Sequence, residues 1–227
     1  MSYSTVLLDL DHTLLDSHTS EACAFDATLT EAGVESPERH FPAYDRINKK
    51  LWAAVERGEM TPDEVKVRRF EQLCDEIGLE ARAEEMAANF VEGLAREGDL
   101  YPGTRDVLEE LASVTRLAMI TNGLSYVQRT RIERLRLGPY LAAVAISAEI
   151  GAAKPHTQIF DVVFEELGRP DRRSVLIVGD SLSSDMQGGW NYGIDTCWYN
   201  PAGTDNDRPD LVTHEITTLG ELVAIVT

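Results

Sequence analysis

Asp9 and Asp11 stand one residue apart at the end of an aliphatic run, in the stretch LLDLDHTLLD (residues 7 to 16), with Thr13 close behind. Residues two apart on a strand share a face, with Cα atoms roughly 6.6 Å apart, so the two carboxylates could flank one reacting group. One could attack while the other handles a proton. A carboxylate is a recognised nucleophile toward phosphorus, forming an aspartyl phosphate. A second carboxyl group can protonate the departing alkoxide and later deprotonate water. The obstacle is Coulombic, because an anionic nucleophile must approach an anionic phosphate. Mg2+, a hard cation held by one or two carboxylates and the substrate's own oxygens, would remove it.

The rest of the chain offers partners for that chemistry. Asp9 and Asp180 are the natural side-chain ligands for Mg2+. Lys154, one of four lysines with Lys49, Lys50 and Lys66, could add a fixed positive charge. Thr121 can donate a hydroxyl hydrogen bond, and Asn122 and Gly123 are read as opening a helix whose free N–H groups could bind phosphoryl oxygens. Asp185 fits a site role or a helix-start carboxylate facing the helix dipole. Alternation along a strand would point His12 away from both aspartates, into packing or hydrogen bonding behind them. The other four histidines, His18, His40, His156 and His214, form no i, i+4 pair.

Positioning these groups requires a particular order of elements. Residues 5 to 9 are strand-like. From about 17 to 98 strand signals vanish and apolar residues recur at helical spacing: Phe25 and Leu29; Tyr44, Ile47, Leu51 and Val55; Phe70, Leu73 and Ile77; Met86, Phe90 and Leu94. Thr61, Pro62 and Glu64 form a capping box with proline at the first helical position. Gly33, Gly58, Gly78 and Gly98 stand where helices should stop. This predicts an insert of about four helices. Beyond it, predicted strands at 115 to 121, 144 to 147, 174 to 179 and 194 to 199 alternate with helices at about 104 to 112, 125 to 136, 155 to 167 and 183 to 192. The polar stretch 200 to 210 reads as a loop. Continuous apolar strands alternating with helices predict an α/β fold, a parallel sheet covered on both faces. Ligands of such sheets bind beyond the carboxyl ends of the strands, where Asp9, Asp11, Thr121, Lys154 and Asp180 would gather.

The motifs DLDHT (9 to 13), TNG (121 to 123), AKP (153 to 155) and GDSLSSD (179 to 185) together resemble the four ordered motifs of the haloacid dehalogenase-like hydrolases. The resemblance implies a Rossmann-like core, residues 1 to 16 and 99 to 227, with a helical cap at 17 to 98. It also implies Asp9 as nucleophile, Asp11 as general acid and base, and Mg2+ bound by Asp9, the backbone carbonyl of Asp11, and Asp180. Asp185 would orient the metal shell or Lys154. The helix after the fourth motif, DMQGGWNYGID, departs from the alanine-rich pattern common in relatives. YDRINKKLW (44 to 52) and ITNGLSYVQRTRIERLRL (120 to 137) are further similar to bacterial pyrimidine 5'-nucleotidases within this family. That similarity implies a pyrimidine nucleoside monophosphate as substrate. Asn48 and Lys49 are then candidates for contacts to base or sugar, with Tyr44 and Trp52 as stacking faces. A 2-haloacid dehalogenase, a sugar-phosphate phosphatase or phosphomutase, and a non-catalytic phospho-receiver are the alternatives. The dehalogenase needs no second acid at position 11, and the receiver leaves a helical lid without a purpose.

Composition narrows the field further. At 227 residues, 43% hydrophobic and 26% charged, the chain can bury a sizeable core. A net charge of −18 argues against nucleic acid or an anionic membrane surface as partner. No apolar run approaches the roughly 18 residues of a membrane span, and residues 1 to 10 lack a signal-peptide pattern, so a cytoplasmic protein acting on a small-molecule phosphomonoester is expected. Cys23, Cys74 and Cys197 are scattered and odd in number, which suggests neither disulfides nor a zinc site.

Overall fold

The computed structural model describes residues 3–227. Six strands, β1 (Thr5–Leu8), β2 (Arg116–Thr121), β3 (Leu141–Ile146), β4 (Val175–Gly179), β5 (Asp195–Tyr199) and β6 (His214–Ile216), form one sheet in the order β3-β2-β1-β4-β5-β6, every pair parallel. This is the doubly wound α/β order, with β1 at the centre beside the point where the connections change direction.

Alternation explains why β1 can hold that place. Val6 and Leu8 pack on one face with Leu117, Met119, Leu176 and Val178, while Leu7 packs on the other with Ala118, Ile120 and Ile177. The whole strand is inaccessible to solvent. A strand buried on both faces needs apolar residues throughout, as TVLL provides. Truncating Leu7 or Leu8 to alanine would cost about 2–5 kcal/mol.

Between β1 and the next core helix, the chain forms α1 (Ser17–Glu31), α2 (Phe41–Glu56), α3 (Pro62–Ile77) and α4 (Ala83–Arg96). The four predicted helices are present. Thr61 and Glu64 make the reciprocal capping box at the start of α3, and Gly78 ends it in the left-handed region at φ 69°. Their shared core is aromatic: Tyr44 lies 4.9 Å from Phe25 and 5.3 Å from Phe90, ring centre to ring centre, and Phe70 lies 5.3 Å from Phe90. Leu124, Val127 and Ala153, from loops and helix beside the sheet, join the same cluster and seat the helical layer over the sheet's edge.

The remaining helices are α5 (Thr104–Val114), α6 (Ser125–Arg134), α7 (Ser147–Ile150), α8 (Thr157–Glu166), α9 (Gln187–Tyr192) and α10 (Glu221–Val226). Leu108 and Leu111 of α5 and Leu222 and Val226 of α10 cover one face of the sheet. Ile159, Phe160 and Val163 of α8 and Tyr192 of α9 cover the other.

Strand β3 begins three residues earlier than expected, and Ser147 starts the short α7 instead of ending a strand. The edge strand β6 and helix α10 were not expected. Among the described residues no helix is long and apolar enough to cross a membrane.

Candidate active site

At the carboxyl ends of β1, β2 and β4, beneath α1 to α4, lies a cavity of about 510 Å3. Asp9, Asp11, Asn122, Gly123, Lys154, Asp180 and Asp185 line it from the sheet side, and Asn48 and Lys49 from the helical side. Nine of the ten predicted site residues therefore share one space. The tenth, Thr121, is fully buried and sits behind the lining, where its Oγ1 accepts from Gln128 Nε2 (2.9 Å).

Lys154 is the centre of the floor. Its ammonium donates to Asp9 Oδ1 (2.5 Å), Asp185 Oδ1 (2.6 Å) and the Ile120 carbonyl (2.8 Å), so its three donors meet three acceptors. Burial alone would strip the proton from this 1% exposed side chain, but Asp185 and Asp9 hold its pKa above the usual lysine value. The backbone of Lys154 is clamped as well: Asn122 Oδ1 accepts from Lys154 N (2.8 Å) and Asn122 Nδ2 donates to Lys154 O (3.0 Å).

Asp185 is buried and paired with Lys154, and also accepts from Ser181 N at 3.1 Å. It lies within a tight π-helical turn, Leu182–Met186. A Cβ on Gly179 would lie 2.2 Å from the Asp185 carboxyl carbon, so only glycine at the end of β4 leaves room for it. The dipole-only reading of Asp185 does not survive this placement.

The structure corrects three local expectations. Asp11 is not on β1, which ends at Leu8; it lies in a turn and makes an isolated bridge with Leu15. Strand alternation therefore stops before His12, whose φ of 60° is left-handed, and His12 is exposed at the cavity mouth. Asn122 and Gly123 do not open a helix with free N–H groups: α6 starts at Ser125, and Gly123 N donates to Ser147 Oγ at 3.0 Å. In the helical layer, Tyr44 is wholly buried and accepts from Arg69 Nη1 (3.2 Å), so it offers no stacking face, whereas Trp52 lines the cavity.

Electrostatically the floor is short of positive charge. Oxygens of Asp9, Asp180 and Asp185 lie within 4.8 Å of one another, and the Thr13 hydroxyl sits 3.4 Å from both Asp9 Oδ2 and Asp180 Oδ1. Burial raises the pKa of Asp9 well above the carboxylate range despite Lys154, and Asp185 and Asp180 raise it further. Burial, with Asp185 beside it, pushes Asp180 up to about 7. Asp11 behaves oppositely. Burial would raise it, but the Arg131 guanidinium, aided by Ser17 and Gln128, holds it below the usual range. Four carboxylates thus face two cations, Lys154 and Arg131. Hard, crowded oxygen donors with unbalanced negative charge suit Mg2+. The donor set fits it.

Gln128, Arg131, Thr13 and Ser17 were absent from the sequence-based set. Gln128 and Arg131 were detectable in principle: with Ile132 and Leu135 they follow i, i+3, i+4, i+7 spacing, two polar residues standing in an apolar helical stripe.

The family model for haloacid dehalogenase-like hydrolases matches residues 6–199. The chain belongs to that family. It is 34% identical to the HAD-hydrolase YfnB of Bacillus subtilis, over 99% of this chain and 95% of that protein. The YfnB crystal structure, solved with magnesium bound, superposes with a TM-score of 0.92 over the full length of both chains. Pyrimidine 5'-nucleotidase PynA of Streptococcus pneumoniae is 33% identical over 98% of this chain and 94% of its own. Pyrimidine 5'-nucleotidase YjjG of Escherichia coli is 33% identical over 98% and 97%. The chain is accordingly an enzyme of this hydrolase family.

Proposed function

We propose that this enzyme is a Mg2+-dependent phosphomonoester hydrolase that works through a phospho-Asp9 intermediate, with pyrimidine nucleoside 5'-monophosphates as substrates. The observation that carries the reading is the floor of the cavity, where Asp9, Asp180 and Asp185 crowd around one lysine while a separately held second carboxylate, Asp11, lines the same space. A haloacid dehalogenase needs no such second acid.

Asp9, Asp180 and the backbone carbonyl of Asp11 would hold Mg2+, which when bound supplies the positive charge that lets an anionic carboxylate meet an anionic phosphate. An Asp9 oxygen attacks phosphorus, the bond from phosphorus to the ester oxygen breaks, and Asp11, which Arg131 holds ionised in the free protein and which must therefore take up a proton in the substrate complex, gives that proton to the departing alkoxide. Water then attacks the same phosphorus, Asp11 takes up the proton released, and the bond between phosphorus and Asp9 breaks to free inorganic phosphate. Lys154 fixes Asp9 in aim and opposes the effect of burial on its carboxylate, and Asp185 keeps Lys154 in place. Asn122 and Gly123 are assigned to the phosphoryl group's side of the cavity, and Thr121, buried behind them, to holding Gln128. Residues 17 to 98 serve as the cap that excludes water, over a core of residues 1 to 16 and 99 to 227.

The nucleotide assignment draws on the pyrimidine 5'-nucleotidases PynA and YjjG, whose similarity spans the helical layer as well as the sheet. Asn48 and Lys49, facing the cavity from α2, are the proposed contacts to base or sugar. Phosphate release from UMP, dUMP, dTMP, AMP and ribose 5-phosphate, with and without Mg2+, tests this. Turnover of the pyrimidine nucleotides that stops on chelation is the expected result. Metal-independent halide release from 2-haloacids, with no phosphatase activity, would overturn it.

A further inference from the structure

Two side chains of α6 touch the candidate acid and base on both of its oxygens, and the reaction scheme above gives neither a task. Gln128 Nε2 donates to Asp11 Oδ2 (2.5 Å) as well as to Thr121 Oγ1, and Arg131 Nη1 donates to Asp11 Oδ1 (2.6 Å). Ser17, the first residue of α1, adds a hydroxyl to Oδ1 at 2.5 Å. Gln128 and Arg131 are 1% and 3% exposed, so both donors are buried while the Asp11 carboxylate stays partly open to the cavity.

Arg131 also holds the helical layer. Its Nε donates to the Leu94 carbonyl in the last turn of α4 (2.8 Å), and its Nη2 to Ser20 Oγ in the first turn of α1 (2.8 Å). These are the helix ends where the insert leaves and rejoins the sheet-bearing part of the chain, as the hydrogen bond from Asp16 N to Asp99 O (3.0 Å) marks. One planar guanidinium therefore joins three bodies: a core helix, both ends of the helical insert, and the Asp11 carboxylate. A lysine could not do so, because its ammonium is a single point on a flexible stem.

Chemistry makes this geometry consequential. Asp11 lies beyond the end of β1, and its carboxylate is held by the side chains of Ser17, Gln128 and Arg131. Proton transfer to a departing oxygen needs hydrogen-bond reach, and a misplacement of 1 Å can cost on the order of 100-fold. We propose that Arg131 is a positioning residue that fixes the Asp11 carboxylate for proton transfer and makes that orientation depend on how α1 and α4 sit over the core. With α1 and α4 displaced, Arg131 cannot keep all three engagements. Gln128 supports the same carboxylate from the other side. The inference rests on the reading of Asp11 as acid and base.

The test compares leaving groups. Release of an alkoxide from UMP needs a proton, whereas p-nitrophenolate departs without one. Arg131→Met is expected to lower kcat on UMP by about 10–100-fold, with a loss on p-nitrophenyl phosphate at least about tenfold smaller. Arg131→Lys, which keeps the charge and loses the fork, should resemble Arg131→Met; full recovery by lysine would overturn the three-way tie. Ser20→Ala removes the contact of Arg131 to α1, together with the longer bond from Ser20 Oγ to the Leu94 carbonyl (3.5 Å), should shift the same ratio by about threefold, and decides the matter if Arg131→Met does not fold. Equal losses on both substrates in these variants would assign Arg131 to packing and end the proposal. Asp11→Asn, run alongside, separates the two layers of the argument. If it too treats both substrates alike, the reading of Asp11 as acid toward the leaving group, on which this inference rests, fails; if it alone discriminates, only the positioning inference fails.

Discussion

The floor and the roof of the cavity are built on opposite principles. On the floor every donor of Lys154 is spent, at 2.5 to 2.8 Å, and Asn122 uses both ends of its amide to hold the lysine's backbone. In the roof the buried polar groups make longer contacts than Lys154 does. Arg69, only 1% exposed, makes bonds of 3.2 Å to Val65 O, Tyr44 Oη and Asn48 Oδ1, and among the described residues no carboxylate pairs with it. Asn48 Nδ2 reaches Glu21 only at 3.5 Å, and burial raises the pKa of Glu21. The difference teaches a division of labour. A floor whose one ammonium is fully engaged by fixed acceptors is preorganised for one charge pattern. Underused polar groups in a desolvated roof are costly in the free protein, and they are repaired only by a ligand that brings its own donors and acceptors.

The strongest way to break that contrast is to remove the floor's nucleophile. Asp9→Asn should abolish turnover of every phosphate ester, measured as inorganic phosphate release, because no other group in the floor can form the intermediate. Full activity in the purified variant would remove the mechanism. Lys154→Met comes next. It leaves Asp9 and Asp185 buried without a counter-charge, and breaking a buried pair in this way costs roughly 3–5 kcal/mol, so thermal unfolding should shift down along with a loss in kcat of about 10²-fold or more. A stable Lys154→Met protein with unaltered kcat would show that the saturation of the floor is incidental.

A smaller effect concerns the charge imbalance itself. The folded pKa of Asp180, about 7, lies above its unfolded value of 3.8. Its protonation therefore stabilises the metal-free fold fully below pH 3.8, and that contribution is lost as pH rises through 7. Asp9 is displaced in the same direction, and Asp11, being lowered, loses its contribution only on acidification, in a separate window. Chelated protein should thus lose stability between pH 5 and 8, measured as Tm, and the gain in Tm on adding Mg2+ should be larger at pH 8 than at pH 5. An equal gain at both values would count against a metal held by these carboxylates.

The same contrast governs how much could be read from sequence. The floor is built from chain segments with strong local signatures: an aliphatic strand ending in acids, TNG after a second strand, lysine before proline, and glycine before aspartate. All but the lysine, which follows the short α7 after β3, end a buried strand, so periodicity and the strand-end rule bring them together without coordinates. What failed were details set by turns. The end of β1 at Leu8 and the left-handed backbone at His12 are decided by hydrogen bonds such as His12 N to Leu15 O (3.0 Å), which no period-two pattern encodes. Edge strand β6 has three residues and α10 six, too few for periodicity to register. In the roof the helices and the Thr61 cap were legible, yet their polar residues were not sorted. Asn48 faces the cavity and Tyr44 the core although both lie on α2, and Arg69, buried against Tyr44 and Asn48, looks in sequence like any exposed helical arginine.

The weakest expected effects sharpen the comparison most, because they lie in the roof and should alter selection without altering chemistry. Lys49 is exposed and pairs with Asp45 one helical turn away (2.8 Å), a contact worth little to stability. Lys49→Ala should therefore leave Tm within experimental error, and a rise in KM for a nucleotide, about threefold, would report binding alone. Arg69→Met fills the same space with an apolar chain, a replacement that buried ionic groups often tolerate, although it leaves Tyr44 and Asn48 short of a donor. It should reduce kcat/KM for UMP by about tenfold and for ribose 5-phosphate, which has no base, far less. A parallel loss on the two substrates would mean that Arg69 serves the packing of α2 against α3. The roof would then be as fully committed to the fold as the floor is to its charges, and the division between them would disappear.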